Sequence, residues 1–298
     1  MKMLALACAA LALVGSAATP AAAREELQVL SNGLPVGEVA IEDRGPFRFI
    51  IDTGASNTNI LPRLQAALPD LGEKTEAQSL QGAGGAAQVQ AIRLSSVTVQ
   101  GRSHADMPAF LLPPGPVDAL GVDGVLGADI LSRYVLDIDL PNRSWSLADR
   151  LPALDGRASG PIPLHLDEAG APIVTVTIEG HDITALLDTG ARGTILNWSA
   201  ARLLGIDAGD PDLASGGSAR GATSDAGTSM KSRTFAEVAV GDYRWRDARL
   251  HIADLPIFAA IGMADGPAMI LGMDAFAASR LVIDHPGGQM FVTPASPD

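Results

Sequence analysis

The sequence predicts an all-β, bilobal protein: two pseudo-twofold-related β lobes with short helices. Three observations predict it. Apolar runs end repeatedly in Gly, Asp or Asn turn signals, Ala and Gly are abundant beside Val, Ile and Leu, and one half of the chain repeats the other. The 298 residues suffice for two domains, since single cores stop growing at about 250–300 residues.

The repeat has three anchors. Residues 47–55 (FRFIIDTGA) align with 183–191 (ITALLDTGA), an offset of 136. Val125-Leu126-Gly127-Ala128-Asp129 aligns with Ile270-Leu271-Gly272-Met273-Asp274 at 145, and residues 132–137 (SRYVLD) align with 279–284 (SRLVID) at 147. Collinear blocks with a slowly growing offset mean a duplicated lobe with small insertions. The expected organisation is an N-terminal lobe over 24–150, a linker over 151–163 marked by Pro152, Gly156, Gly160, Pro161 and Pro163, and a C-terminal lobe over 164–298.

Within the lobes, residues 27–41 (with Gly33 and Gly37) and 174–178 (followed by Gly180) predict hairpin strands leading into each Asp-Thr-Gly block. The apolar run before each Asp predicts a buried strand, and the Gly after it a turn. Residues 61–68 and 199–204 have short helical spacing, 97–99 and 238–240 predict strands, and 129–133 and 274–279 predict one or two helical turns before another strand. Asp137 and Asp139, on a predicted strand, are expected on a solvated face or in a turn. The five histidines show no metal-ligand spacing, most are expected as ordinary surface or turn residues, and no metal site is expected.

Residues 1–23 read as an export signal. Lys2 supplies a positive start, 4–15 an apolar stretch too short to span a bilayer, and Ala21-Ala22-Ala23 a small-residue cleavage site before Arg24. The expected location is periplasmic or secreted, without stable membrane insertion after cleavage. Cleavage removes Cys8, the sole cysteine, which excludes a disulfide framework and thiolate chemistry in the mature chain. Lys and Arg total 21 against 34 Asp and Glu, a formal net charge of −13, so the basic footprint that nucleic acid requires is missing.

The chemistry lies in the duplicated Asp-Thr-Gly. A carboxylate at a turn after a buried strand is partly desolvated and fixed. Two copies related by a pseudo-twofold axis would bring Asp52 and Asp188 face to face, where both cannot ionise easily. One shared proton lets one carboxyl act as general base and the other as general acid on a water molecule, and the titration belongs to the pair.

These motifs resemble the aspartic protease superfamily, closest to the bacterial, exported relatives of retroviral proteases (retropepsin-like). The resemblance rests on Phe49-Ile50-Ile51-Asp52-Thr53-Gly54-Ala55-Ser56, Leu186-Leu187-Asp188-Thr189-Gly190-Ala191, the Gln81-Gly82-Ala83-Gly84-Gly85 run in flap position, and the hydrophobic-hydrophobic-Gly blocks ending at Gly127 and Gly272. It implies the bilobal acid protease fold, with the active site between the lobes and a peptide or protein as substrate. It further implies that Asp52 and Asp188 are the catalytic dyad, and that Thr53 and Thr189 interlock across the lobes. Gly54 and Gly190 would permit close approach, a flap at Gly82, Gly84 and Gly85 would cover substrate, and Gly127 and Gly272 would pass beneath the Asp loops. No cofactor is implied, and two internal lobes complete the site in a monomer.

Three departures stand out. Ser56 follows the first motif but Arg192 the second, where a cation would lower the pKa of Asp188, pair with an Asp elsewhere or meet a substrate carboxylate. The second lobe's flap region, 215–221, matches the glycine pattern poorly, so lobe two is expected to lend its Asp without a mobile flap. Neither Tyr134 nor Tyr243 sits in a flap position. Two other classes share features: a non-catalytic peptide-binding module on the same cleft, and actin-like phosphate-binding enzymes. The latter are also duplicated, but they have no use for the Ile-Leu-Gly block, and an exported compartment lacks ATP. No Gly-x-Ser-x-Gly elbow is present, which excludes that route to a Ser-His-Asp hydrolase.

Overall fold

Each lobe closes on itself as a ring of six strands in the computed structural model, which describes residues 23–222 and 224–295 but not the side chains of 224–226. The predicted export signal, apart from Ala23, lies outside the described residues. In the N-terminal lobe the ring runs Pro35–Ile41, Arg44–Ile51, Gly124–Leu126, Asn59–Ile60, Arg102–Leu111 and Gly85–Val99. The pairing Ala40↔Thr98 returns it to its first strand. The C-terminal lobe repeats the order with Pro172–Ile178, His181–Leu187, Ala268–Leu271, Ile195–Leu196, Tyr243–Ile252 and Ser224–Val240, closed by Thr177↔Ala239. Closure pairs backbone groups that an open sheet would leave at an edge.

Local sequence explains the strands that carry the motifs. The first hairpin turns through Glu42 and Asp43, both with positive φ (51° and 59°), and the matching one through Glu179 and Gly180 (50° and 81°). Such two-residue turns fit the twist of the flanking strands. Phe49, Ile51, Ile183, Ala185 and Leu187 are buried in one apolar cluster that runs through both lobes. Each large aliphatic side chain removed from water stabilises by about 1.5–3 kcal/mol. The short helices Pro62–Ala67 and Trp198–Leu203 cover matching faces, the second capped by Asn197, whose side chain accepts from Ala200 N.

A third sheet joins the lobes. Its strands run Glu25–Glu26, Ser144–Ala148 and Val135–Asp139 from one lobe, then Ser279–Asp284, Gln289–Pro294 and Ile162–Leu166 from the other. The pseudo-twofold axis passes between Val135–Asp139 and Ser279–Asp284, which pair antiparallel over five residues from Val135↔Asp284 to Asp139↔Arg280. The last of these strands begins at Ile162, inside the segment expected as linker, because Ile162 and Pro163 pair with Met290 and Gln289.

Asp137 overturns the expectation of a solvated face. Its side chain is 1% exposed, and it accepts from Arg280 Nε at 2.9 Å and Nη2 at 2.7 Å and pairs with Arg24 Nη1. Asp139 is also buried and accepts from Asn142 N and Nδ2, both at 3.0 Å. The strand is covered on both faces, so its polar positions are enclosed and ion-paired. Asp137→Asn is expected to cost about 3 kcal/mol, since it leaves two guanidinium groups facing a neutral amide in a buried site. Arg24→Ala, at a partner whose side chain is 31% exposed, is expected to cost less than about 1 kcal/mol. Urea unfolding midpoints of the three proteins check this order.

Candidate active site

The strands Arg44–Ile51 and His181–Leu187 each end one residue before an aspartate. Each lies parallel to the strand that carries the hydrophobic-hydrophobic-Gly block, and the carbonyls of Leu126 and Leu271 accept from Asp52 N and Asp188 N, both at 3.0 Å. This fixes where each carboxyl leaves its strand. The two turns then meet at the axis between the lobes.

The threonines tie the turns together reciprocally. Thr53 Oγ1 donates to Leu187 O (2.6 Å) and accepts from Thr189 N (3.1 Å). Thr189 Oγ1 donates to Ile51 O (2.7 Å) and accepts from Thr53 N (3.0 Å). Both threonines are fully buried, so these bonds have no competition from water. The glycines make the approach possible. A Cβ on Gly54 would lie 2.6 Å from Asp188 Cγ, and one on Gly190 would overlap the Asp52 carboxyl.

Asp52 Oδ1 accepts from Gly54 N and Ala55 N, both at 2.9 Å, while Asp188 Oδ1 accepts from Gly190 N at 2.9 Å. Burial pushes both carboxyls above the usual carboxylate range. Asp188 is raised well above it, through burial first, then the Asp52 charge and the hydrogen bond between the two groups. Asp52 is raised by burial, against which its amide donors and Asp188 act. The two carboxyls therefore share a proton, and its titration belongs to the pair.

A lower layer supports the loops. Gly127 and Gly272 run beneath them: Ala128 N donates to Ala55 O at 2.7 Å and Met273 N to Ala191 O at 2.9 Å. A Cβ on Gly272 would lie 2.8 Å from Gly193 O, and one on Gly127 would overlap Asn57. Asp129 holds Thr58 through its N (3.0 Å) and Oγ1 (2.9 Å), and Asp274 holds Thr194 the same way (2.9 and 2.6 Å). These four positioning residues were missed in the sequence. Their signal was present, because both aspartates lie in a repeated block and both threonines fall six residues after the paired Asp.

Gly82, Gly84 and Gly85 lie on a hairpin of Gln78–Gly82 with Gly85–Val99, closed by Gly82↔Gly85. The poor glycine match in lobe two does not prevent a hairpin there. Ala214–Gly221 and Ser224–Val240 form an equivalent hairpin, with Ser218↔Ser229, Ala219↔Thr228 and Gly221↔Ser224. The two tips meet, since a Cβ on Gly221 would lie 2.5 Å from Gly84 N. Each also rests on the opposite lobe. Ala83 packs against the cluster of Ile195, Met230, Leu255 and Phe258, and Ala222 against that of Leu34, Val36, Ile50 and Leu112. The cover is therefore closed from both sides.

Ser56 and Arg192 are exposed, each four residues past its aspartate. The Arg192 charge is felt at His251, whose titration is pushed down by burial and by Arg249 and Arg192, against a raising influence of Asp274. His165 and His181 are exposed and His285 lies in a turn, as expected of most histidines, while His104 is buried and His251 half-buried on strands. Among the described residues, no three His, Cys, Asp or Glu side chains converge as they would to hold a metal ion.

Two outcomes are expected. Thr53→Ala is expected to cost about 3 kcal/mol, because it strands Leu187 O and Thr189 N in a buried site, and Thr53→Ser is expected to restore most of it. Urea unfolding of both variants checks this. The folded dyad also holds protons that the unfolded chain releases near pH 4. Its contribution to stability is full below that pH and is lost as pH rises through the raised values. Asp188→Asn should therefore lose less stability than wild type between pH 4 and pH 7, read from unfolding midpoints at the two pH values.

A family model described as "Aspartyl protease" matches residues 37–130 and 174–275, one stretch in each lobe and both carrying an Asp-Thr-Gly turn. A comparison with curated proteins gave no match. The two matched stretches cover most of the chain and coincide with the two halves of the paired-carboxyl site, and the chain belongs to the aspartyl protease family.

Proposed function

We propose that this protein is an exported, retropepsin-like aspartic endopeptidase, periplasmic or secreted, acting as a single chain. The observation that carries the reading is the pair of half-buried carboxyls that face each other across the lobe boundary, each raised by burial. Export is supported by the sequence pattern of residues 1–23, and no helix among the described residues is long and apolar enough to cross a membrane. Cleavage within a chain is supported by the matched halves of the cleft, one available to each side of the scissile bond.

In this mechanism Asp52, as carboxylate, takes a proton from a water held between the carboxyls. The water oxygen bonds to the scissile carbonyl carbon, and the Asp188 carboxyl gives its proton to the carbonyl oxygen. The neutral diol collapses as its C–N bond breaks. The proton gained by Asp52 passes to the leaving nitrogen, and a diol hydroxyl returns one to Asp188. Atoms and charge balance, and the dyad ends as it began. The hairpins exclude bulk water and must part to admit substrate.

Asp52→Asn and Asp188→Asn are each expected to lower cleavage of a mixed peptide library by at least about 10³-fold, while peptide binding measured by fluorescence anisotropy persists. Full turnover in either variant would sink the assignment. A wild-type chain that binds peptide and cuts nothing from acid to mildly basic pH would be a binding module.

A further inference from the structure

The internal repeat relates the two halves of the cleft, so matched positions expose where they differ in charge. Ser56 matches Arg192. Asn59 pairs with Phe110 and Ile195 with His251, each first residue lying seven past its aspartate, so Phe110 matches His251 and Pro108 matches Arg249. One half presents Ser, Phe and Pro where the other presents Arg, His and Arg.

The N-terminal half holds a cavity of about 510 Å³ whose walls include Asn57, Gln78, Pro108 and Phe110. Its charged side chains are Glu76 and Arg93, the latter already paired with Asp106 at 3.1 Å. In the C-terminal half the His251 ring lies against the catalytic loop and the hairpin base. A Cβ on Gly193 would sit 3.4 Å from its Cδ2 and one on Gly216 3.0 Å from its Nδ1. The carboxylate facing this ring, Asp274, is already engaged by Thr194 N, Thr194 Oγ1 and Ala275 N. Arg249 is drawn to Ser232 Oγ and Ser215 O. The Arg192 carbonyl accepts from Asp274 N, but its guanidinium makes no hydrogen bond or ion pair among the described residues, although acidic residues outnumber basic ones 34 to 21. Elsewhere Arg44, Arg63, Arg233 and Arg280 all find carboxylates.

We infer that the C-terminal half of the cleft is a subsite for a carboxylate of the substrate, with Arg192 as its ion-pairing group, so that an acidic group is favoured on one side of the scissile bond only. The inference rests on the cleft binding peptide as proposed above. A guanidinium offers a planar fork that matches a carboxylate in two parallel hydrogen bonds. The carboxylate comes from an Asp or Glu side chain or from a chain terminus.

The test uses peptide pairs that carry Glu or Gln at each position in turn, ending in a free acid or an amide. Both kcat/KM with wild type and Kd with the Asp52→Asn chain are read. Wild type is expected to favour Glu roughly tenfold at one position, on one side of the cut, and less in high salt. A preference confined to free-acid peptides assigns the carboxylate to the chain end. In Arg192→Ser the ratio should fall towards one, and Arg192→Lys should keep part of it. Ser56→Arg should create a second preference on the opposite side. If wild type cuts nothing, the protease reading fails alone, and the Kd ratio still decides the subsite. Equal Glu and Gln values at every position in both readouts, or a preference that survives Arg192→Ser, overturns the inference.

Discussion

Two backbone turns face each other across the lobe boundary with no room for a side chain between them. The Cβ that Gly54 lacks would sit against the Asp188 carboxyl, and the one that Gly190 lacks would overlap that of Asp52. The rest of the structure follows from holding this contact. Thr53 and Thr189 reach across to the opposite strand, so each turn is braced by its equivalent. Gly127 and Gly272 run beneath, and Asp129 and Asp274 fix the far end of each loop. The sheet between the lobes supplies a second, larger tie, with the buried Asp137 bridging strands from both lobes through Arg280 and the first strand through Arg24. A site that must be held to within about half an ångström requires such rigid support on both sides.

The same contact sets the chemistry. Enclosing two carboxyls costs stability, and their mutual repulsion adds to it. Backbone amides in each turn act against that cost, those of Gly54 and Ala55 on Asp52 and those of Gly190 and Ala191 on Asp188. The strain of desolvation is concentrated where reactivity is needed, and the barrels and the joining sheet offset it elsewhere.

The two lobes and the facing aspartates were legible in the sequence because the repeat makes both motifs visible, and because a buried strand ending in Asp-Thr-Gly is a local pattern. What was missed depends on partners far away in sequence. Asp137 looks like a solvated strand residue until Arg24 and Arg280, 113 and 143 residues distant, close over it. The second hairpin lacks the glycine pattern of the first, yet cross-strand pairing between Ala219 and Thr228 forms it without that signal, and contact with the other tip completes it. Arg192 reads as a neighbour of Asp188 alone, yet its charge also bears on His251, which only the fold brings near.

Carrying both lobes on one chain divides the residues of the site into two kinds. Thr53 and Thr189, like Gly54 and Gly190, each complete the other's environment, so a change in one without the other breaks a bond or creates a clash. Ser56 and Arg192 are exposed beyond the two turns, and Phe110 and His251 lie on strands paired within their own lobes. A symmetric assembly of two identical chains would have to alter both copies of such a position at once. A single chain can alter one. The physical contacts therefore leave the centre of the site symmetric and free its flanks to differ, and that is where the charge of this cleft is uneven.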